Sequence, residues 1–476
     1  MVKNIFTIAR GGSPPRVRIN RVSTKKVKEC GKAKNIGMKS KKLLKIEKYW
    51  NRIQKVLTKY KILEYNSIIK VLEKYMRINR REYLDKLIAF KDKQIIKVVT
   101  GIRRCGKSTL LEMYRDYLSE NGVAENQIIA INFEDLDYEE LTDVKKLYAY
   151  IKEHIVKDKM TYIFLDEVQH INNFPKLVDS LYIKNGIDIY ITGSNAYMLS
   201  SEIATFISGR YVLIEMLPLS FKEYVESTGN DNELARKYTE YIENGSFPYV
   251  VELKNHPKEI KDYLIGLYNT IVVKDISHRK KINDVMMLSS VTKFVFDNIG
   301  NPLSTKKIAD TMTSYGRKID GKTVEKYVSA LMESYIVYQA KRFNIKGKQY
   351  LKNLEKYYVS DIGLRYALLG SRATDVGRIL ENVVYLELLR RGCEVYVGKI
   401  DDNEVDFVAI EQNKVTYYQV SASVRDENTL KRELTSLQKI KDHYPKLLLT
   451  LDDDIEADYD GIRRINALKW LVGKVS

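Results

Sequence analysis

From residue 95 to residue 215 the chain alternates short apolar runs, rich in β-branched residues, with stretches in which apolar residues recur at helical spacing. The runs at 95–100, 128–133, 162–166, 188–192 and 211–215 predict strands. The stretch 109–120 carries Leu110, Leu111, Tyr114, Tyr117 and Leu118 at helical spacing. Such alternation predicts an α/β fold, a parallel sheet with helices on both faces. Next, 216–300 reads as helical with few sharp motifs, a lid and connector. After Gly300, Asn301 and Pro302 come LSTKKIADTM, a turn at Tyr315 and Gly316, then Val324, Tyr327, Val328 and Leu331 at i, i+3, i+4 and i+7, with β-rich stretches at 336–343 and 356–359. Helix, turn, helix and hairpin over 301–370 outline a winged-helix-like module. Lys318, Lys322 and Lys326 there face phosphate if the module reads DNA, or solvent if it serves packing. The last region, 371–476, runs helix, two strands, a helix with Leu430, Leu434, Leu437 and Ile440 in register, and the strand KLLLTL.

Between the first strand and the first helix lies GIRRCGKST. Gly101 and Gly106 bracket four residues and precede Lys107 and Ser108, which fits G-x-x-x-x-G-K-[ST] without a mismatch. Glycines let the backbone wrap an anion, successive N–H groups and the helix N-terminus point at the phosphates, and the Lys107 ammonium neutralises the β and γ oxygens. The loop Gly101, Ile102, Arg103, Arg104, Cys105 and Gly106, with Lys107, Ser108 and Thr109, is therefore the expected ATP site, and Ser108 is left to ligate Mg²⁺. The third strand ends in Asp166 and Glu167. A carboxylate there lies beside the loop, where Asp166 holds the Mg²⁺ water shell and Glu167 polarises the attacking water. The fourth strand ends in YITGSNA, where Ser194 or Asn195 either bonds the γ-phosphate or its water, or caps a turn. Arg210 is read as an arginine finger or as an ordinary paired arginine.

Together GIRRCGKSTLL, IFLDEVQ, ITGSNA, SGRYVLIEMLPLSFKEY and ENGSFPYVV resemble the widespread prokaryotic ATPases that join an AAA-type domain to a C-terminal domain of unknown function. The resemblance covers 76–476. It implies ATP hydrolysis with Mg²⁺, Asn195 as γ-phosphate sensor, and an ATPase core at 76–215. The C-terminal region resembles the PD-(D/E)XK nuclease core in order and spacing, which implies Glu381 as the helix acid and Asp406 as a metal-ligating acid. Gln419 and Ser421 stand where that pattern wants an acid and a lysine. Gln419 still offers a neutral oxygen to a metal, but Ser421 supplies no cation, and Lys431 or Arg432 would have to replace it. A degenerate site kept for binding or assembly, an ATP-gated DNA nuclease and a nucleotide-switched scaffold are the alternatives. DNA and an oligomeric state stay open as partners.

The net charge of +18 changes this picture less than its size suggests. Residues 1–75 hold 21 Lys+Arg and 4 Asp+Glu, which leaves 59 basic against 58 acidic residues in the remainder. The core is nearly neutral, so global charge is no argument for DNA binding by the folded domains. The segment 1–75 reads as a disordered start followed by basic amphipathic helices that touch a partner, or as a tail without a task, with Met76 an alternative start. No apolar run approaches the roughly 20 residues that span a bilayer, and no secretory leader is evident, so the expectation is a cytoplasmic protein without a membrane partner. Cys30, Cys105 and Cys393 lie far apart and suggest neither a disulfide frame nor a zinc site.

Overall fold

The computed structural model describes residues 77–196, 209–229, 232–347, 349–370 and 375–475. The basic segment 1–75 and Met76 lie outside the described residues. All five expected strands of the first region form, as β1 (Ile96–Thr100), β2 (Ile128–Asn132), β3 (Thr161–Asp166), β4 (Ile187–Gly193) and β5 (Tyr211–Glu215). They pair in parallel in the order β2-β3-β4-β1-β5. Successive side chains of a strand point to opposite faces, and both faces are covered. Val99, Phe164 and Tyr190 pack on one side with Leu110, Tyr114 and Leu118 of α2 (Lys107–Glu120) and Tyr83 and Leu87 of α1 (Arg81–Ala89). Val98, Ile131, Ile163 and Ile189 pack on the other with Leu147 and Ile151 of α3 (Val144–His154) and Leu177 and Leu181 of α4 (Phe174–Tyr182).

Helices fill the next region. α5 (Phe221–Thr228) opens on a capping box of Ser220 and Glu223, followed by α6 (Leu234–Asn244) and α7 (Pro257–Tyr268). α7 runs on into a π-helical segment, Asn269–Ile276, and a short turn, Ser277–Lys280, before α8 (Val285–Asp297). Then α9 (Thr305–Ser314) and α10 (Gly321–Glu333) follow, each started by a side-chain cap from Ser304 or Asp320.

Strands expected in two separate modules share one sheet. β6 (Pro302–Leu303), β7 (Val337–Asn344) and β8 (Gln349–Val359) join β9 (Glu394–Ile400), β10 (Asn403–Glu411), β11 (Lys414–Ser421), β12 (Lys446–Thr450), β13 (Ala457–Tyr459) and β14 (Ile462–Asn466) in the order β13-β14-β12-β11-β10-β9-β7-β8-β6. The junction is a parallel pairing of Arg342–Asn344 with Val397–Lys399. The hairpin β7–β8 is therefore bounded on one side by β9 rather than standing free as a wing. β10 and β11 are joined by Gln412 and Asn413, both with positive φ, the geometry of a two-residue type I′ turn. α11 (Ile362–Leu369) leads towards α12 (Val376–Arg390), which is buried along most of its length, and α13 (Glu427–Gln438) covers the opposite face through Leu434 and Leu437.

Candidate functional site

The C-terminal ends of the parallel strands form one edge, and the sequence motifs collect there. Thr100 pairs with Gly193, and Asn132 with Asp166, so the loop after β1 faces the ends of β3 and β4. Gly101 has φ +144°, and a Cβ there would lie 2.1 Å from the Met216 carbonyl oxygen, so only glycine lets the chain pass. Gly106 has φ +104° and sets off α2, which starts at Lys107, two residues before the predicted helix. Lys107 is buried, with its Nζ 3.2 Å from the Gly101 carbonyl, 3.4 Å from that of Ile102 and 3.4 Å from Glu167 Oε1. Ile102 and Cys105 pack beneath the loop, and burial pushes the Cys105 thiol up. Arg104 is exposed with positive φ, and Thr109 lies in the first turn of α2.

The acids sit opposite. The Ser108 and Thr192 hydroxyls hydrogen-bond the Asp166 carboxyl. Thr192 Oγ1 also accepts the Glu167 backbone N–H at 2.9 Å. Glu167 has φ +57°, a left-handed conformation that turns its side chain out of the strand direction at the strand end. Burial raises the Asp166 pKa above the ordinary carboxylate value. Burial also acts on Glu167, but Lys107 and the Gln169 and Ser194 side chains outweigh it and hold that carboxyl below its ordinary value. Asn195 is buried just beyond the end of β4 on the same edge.

One expected residue is elsewhere. Arg210 precedes β5, its carbonyl accepts the Ile96 N–H at 2.8 Å, and its guanidinium pairs with Asp179 and lies over the Tyr182 ring. That is the start of β1, a strand's length of roughly 13 Å from the phosphate loop, so in this fold Arg210 is not brought to the site of its own chain. A finger signal read from sequence does not say at which end of the sheet the arginine emerges. Conversely, Arg80 lies before the motif and carries no motif signal. Its guanidinium donates to the Cys105 carbonyl at 2.9 Å and the Leu217 carbonyl at 2.6 Å and pairs with Glu223 at 2.9 Å, clamping the loop from outside.

A second cluster lies in the nine-stranded sheet. Glu381 and Asp406 do come together, but around a lysine that the pattern did not anticipate. Lys356 of β8 is 2.9 Å from Glu381, 2.8 Å from Glu404 and 3.7 Å from Asp406, and Tyr358 donates to Glu381 at 2.7 Å. The Gln419 amide oxygen accepts the Asp406 N–H at 3.3 Å, while its NH₂ donates to Glu433 at 2.8 Å. Ser421 bonds the Ser423 carbonyl, and Arg432 is drawn to Glu433, so neither enters the cluster; Lys431 is exposed. A cavity of about 340 Å³ opens beside it, lined by Glu404, Asp406, Gln419, Arg432 and Glu433 among others. Burial and Glu381 push Asp406 up to about 8 against the opposing pull of Lys356, and the three carboxylates outweigh burial to raise Lys356. Among the described residues no group of three or more His, Cys, Asp or Glu side chains is placed to hold a metal ion. The signal for Lys356 was a lone lysine in the run LEKYYV, weak without its neighbours in space. Lys318, Lys322 and Lys326 are exposed, the last two one turn apart on α10.

Residues 93–225 match the sequence model of an AAA domain, and 235–375 that of a domain of unknown function, DUF8612. An uncharacterised protein of Haemophilus influenzae is 40% identical over 399 residues, 83% of this chain and 98% of its own. The uncharacterised protein MJ1544 of Methanocaldococcus jannaschii is 32% identical over 416 residues, 82% of this chain and 88% of its own. Among solved structures, the Walker-type ATPase PABY2304 of Pyrococcus abyssi superposes on 61% of this chain and 96% of its own at 14% identity, with a TM-score of 0.43. No helix among the described residues is long and apolar enough to cross a membrane.

Proposed function

This chain belongs to the AAA-domain family that includes both uncharacterised relatives, and from that premise we propose that it binds and hydrolyses ATP with Mg²⁺. One observation carries the proposal: the Lys107 ammonium, the Ser108 hydroxyl and the Asp166 and Glu167 carboxylates converge at one strand edge, beside a glycine loop that no side chain could follow. Lys107 exchanges its loop carbonyls for phosphate oxygens. Ser108 and Asp166, a hydroxyl and a carboxylate already in contact, form the oxygen donor set that suits Mg²⁺, with the remaining positions left to phosphate and water. Bound there, Mg²⁺ neutralises charge on the β and γ oxygens. Glu167, kept ionised by Lys107, orients the attacking water, and Asn195 reads the γ-phosphate. The helix, turn and helix of α9 and α10, with Lys318, Lys322 and Lys326 exposed, support contact with DNA through a winged-helix-like unit. The region 371–476 acts as a nuclease-like domain with a degenerate site, since Ser421 offers no cation. ATP turnover with Mg²⁺, across protein concentration and with or without duplex DNA, tests the proposal and reports assembly and ligand together; no Mg²⁺-dependent turnover under any of these conditions would sink it.

A second reading, an ATP-gated DNA nuclease, is favoured by Lys356. It brings to Glu381 and Asp406 the cation that Ser421 lacks, and Asp406 also borders the cavity of about 340 Å³. Cleavage of DNA with Mg²⁺ or Mn²⁺ that disappears in Asp406→Ala would promote it over the degenerate site.

A further inference from the structure

The side chain of Arg103 plays no part in the hydrolytic scheme, although it projects from the middle of the phosphate loop. Its guanidinium spans two carboxylates, 2.6 Å from Glu134 beyond β2 and 3.6 Å from Asp275. Asp275 lies in the π-helical segment Asn269–Ile276, wide turns that are rare in proteins and are found mostly where a helix is held out of register for a reason. Burial pushes the Asp275 carboxyl up, and Arg103 is the largest influence opposing that. Directly after the π segment, Arg279 donates to Ser334 Oγ at 2.9 Å and Lys280 pairs with Glu333 at 2.7 Å. Glu333 is the last residue of α10, shortly before β7. The phosphate loop and the C-terminal end of α10 are thus joined through one stretch of helix, Asp275 to Lys280, with an ion pair at each of those two residues.

We propose that the Arg103–Asp275 pair is a latch opened by the phosphates of the bound nucleotide, and that its release frees the π segment and is passed through Arg279 and Lys280 to α10. The inference rests on the nucleotide reading of the loop. A triphosphate places a third anion within reach of one guanidinium. The Glu134 contact at 2.6 Å is a full charge-assisted hydrogen bond, whereas the Asp275 contact at 3.6 Å lies beyond hydrogen-bond distance and yields first. Freed of its partner, the half-buried Asp275 no longer anchors the π turns. By linkage, whatever binds α10 then alters nucleotide affinity by the same factor in return.

Hydrogen–deuterium exchange of the full chain, with and without a non-hydrolysable ATP analogue and Mg²⁺, reads the latch directly, while analogue affinity is measured in parallel by fluorescence. Analogue binding is expected to speed exchange across 269–280 by about 5- to 10-fold, the range of an ordinary coupling, and to change it in 321–333. Asp275→Asn, close to isosteric, should show the fast exchange without nucleotide and little further change on binding. Glu333→Gln combined with Ser334→Ala, which removes both contacts, should confine the response to 269–280. If the analogue binds but exchange across 269–280 is unchanged or slowed, the latch is wrong and the nucleotide reading stands. If the analogue does not bind the wild-type chain, the nucleotide reading fails first and the latch falls with it.

Discussion

Among the buried lysines that face carboxylates, Lys107 and Lys356 are held in opposite ways. Lys107 touches two loop carbonyls and Glu167 at 3.2 to 3.4 Å, long contacts that a phosphate oxygen can replace at little cost. Lys356 is gripped by Glu381 and Glu404 at 2.8 to 2.9 Å, with Asp406 third. The first arrangement holds its cation loosely against a single carboxylate. In the second the cation is already matched from within, and removing the lysine leaves buried carboxylate charge behind. A lysine beside acids is therefore a functional signal only when its contacts are slack, and the comparison tells an open site from a closed one.

The largest expected effect is at the slack end. Glu167→Gln should leave nucleotide affinity within a few-fold of wild type and lower turnover by about 10²- to 10⁴-fold, the usual share of a group that activates water, whereas Lys107→Ala should abolish binding. Steady-state hydrolysis and equilibrium binding measured on the same preparations separate the two roles, and wild-type turnover in Glu167→Gln would remove that residue from the mechanism.

At the tight end the effect is on folding. Lys356→Met strips the cation from three carboxylates and should cost about 3 to 5 kcal/mol by urea denaturation, as broken buried pairs do. A loss below about 1 kcal/mol would mean that the cluster is as open as the first, and would strengthen the nuclease reading.

The charge state of Asp406 sharpens the contrast further. Its folded pKa lies above its unfolded value near 4, so between the two the native chain holds the extra proton. Stability from this group is full below about pH 4 and is lost as pH rises through about 8. Asp406→Asn should therefore flatten the fall in stability from pH 5 to pH 8, by on the order of 2 kcal/mol after allowing for its coupling to Glu381 and Lys356. Parallel melts at the two pH values check this, and an unchanged slope would show the proton to be held elsewhere. The smallest effect belongs to Arg210→Ala, whose exposed pairing with Asp179 is worth at most about 1 kcal/mol. Turnover should stay within about twofold, and a loss of about 10³-fold would reveal a finger that acts on a neighbouring copy.

The strand edge around β1, β3 and β4 was legible because its chemistry is local. Gly101, Gly106, Lys107 and Ser108 form one loop, and Asp166 with Glu167 ends one strand, so a pattern of residues is also a pattern in space once the strands run parallel. Four strands of the second sheet have no counterpart in the pattern reading, and the first of them, β6, is only two residues long. β13 is three residues long, β14 is broken by Arg463 and Arg464, and β9 carries alternation that was there to be read in Val395 and Val397. In the terminal cluster Glu381 and Asp406 both lie beside Lys356 of β8, a residue that the motif order does not point to, while Arg432 of α13 pairs with Glu433.

By itself, then, the sequence determined what spacing within a few residues can determine: the five parallel strands, the phosphate loop and the acids at its side. Only the tertiary structure decided which distant residues complete each site, because β-sheet pairing joins segments without regard to their separation along the chain. It brought Lys356 to acids 25 and 50 residues away, set Arg80 against Cys105, sent Arg210 to the far end of its sheet, and stretched an ion pair from Arg103 to Asp275. Each of those contacts depends on how strands are ordered and which face a helix covers, and no local pattern of hydrophobic and polar residues encodes either.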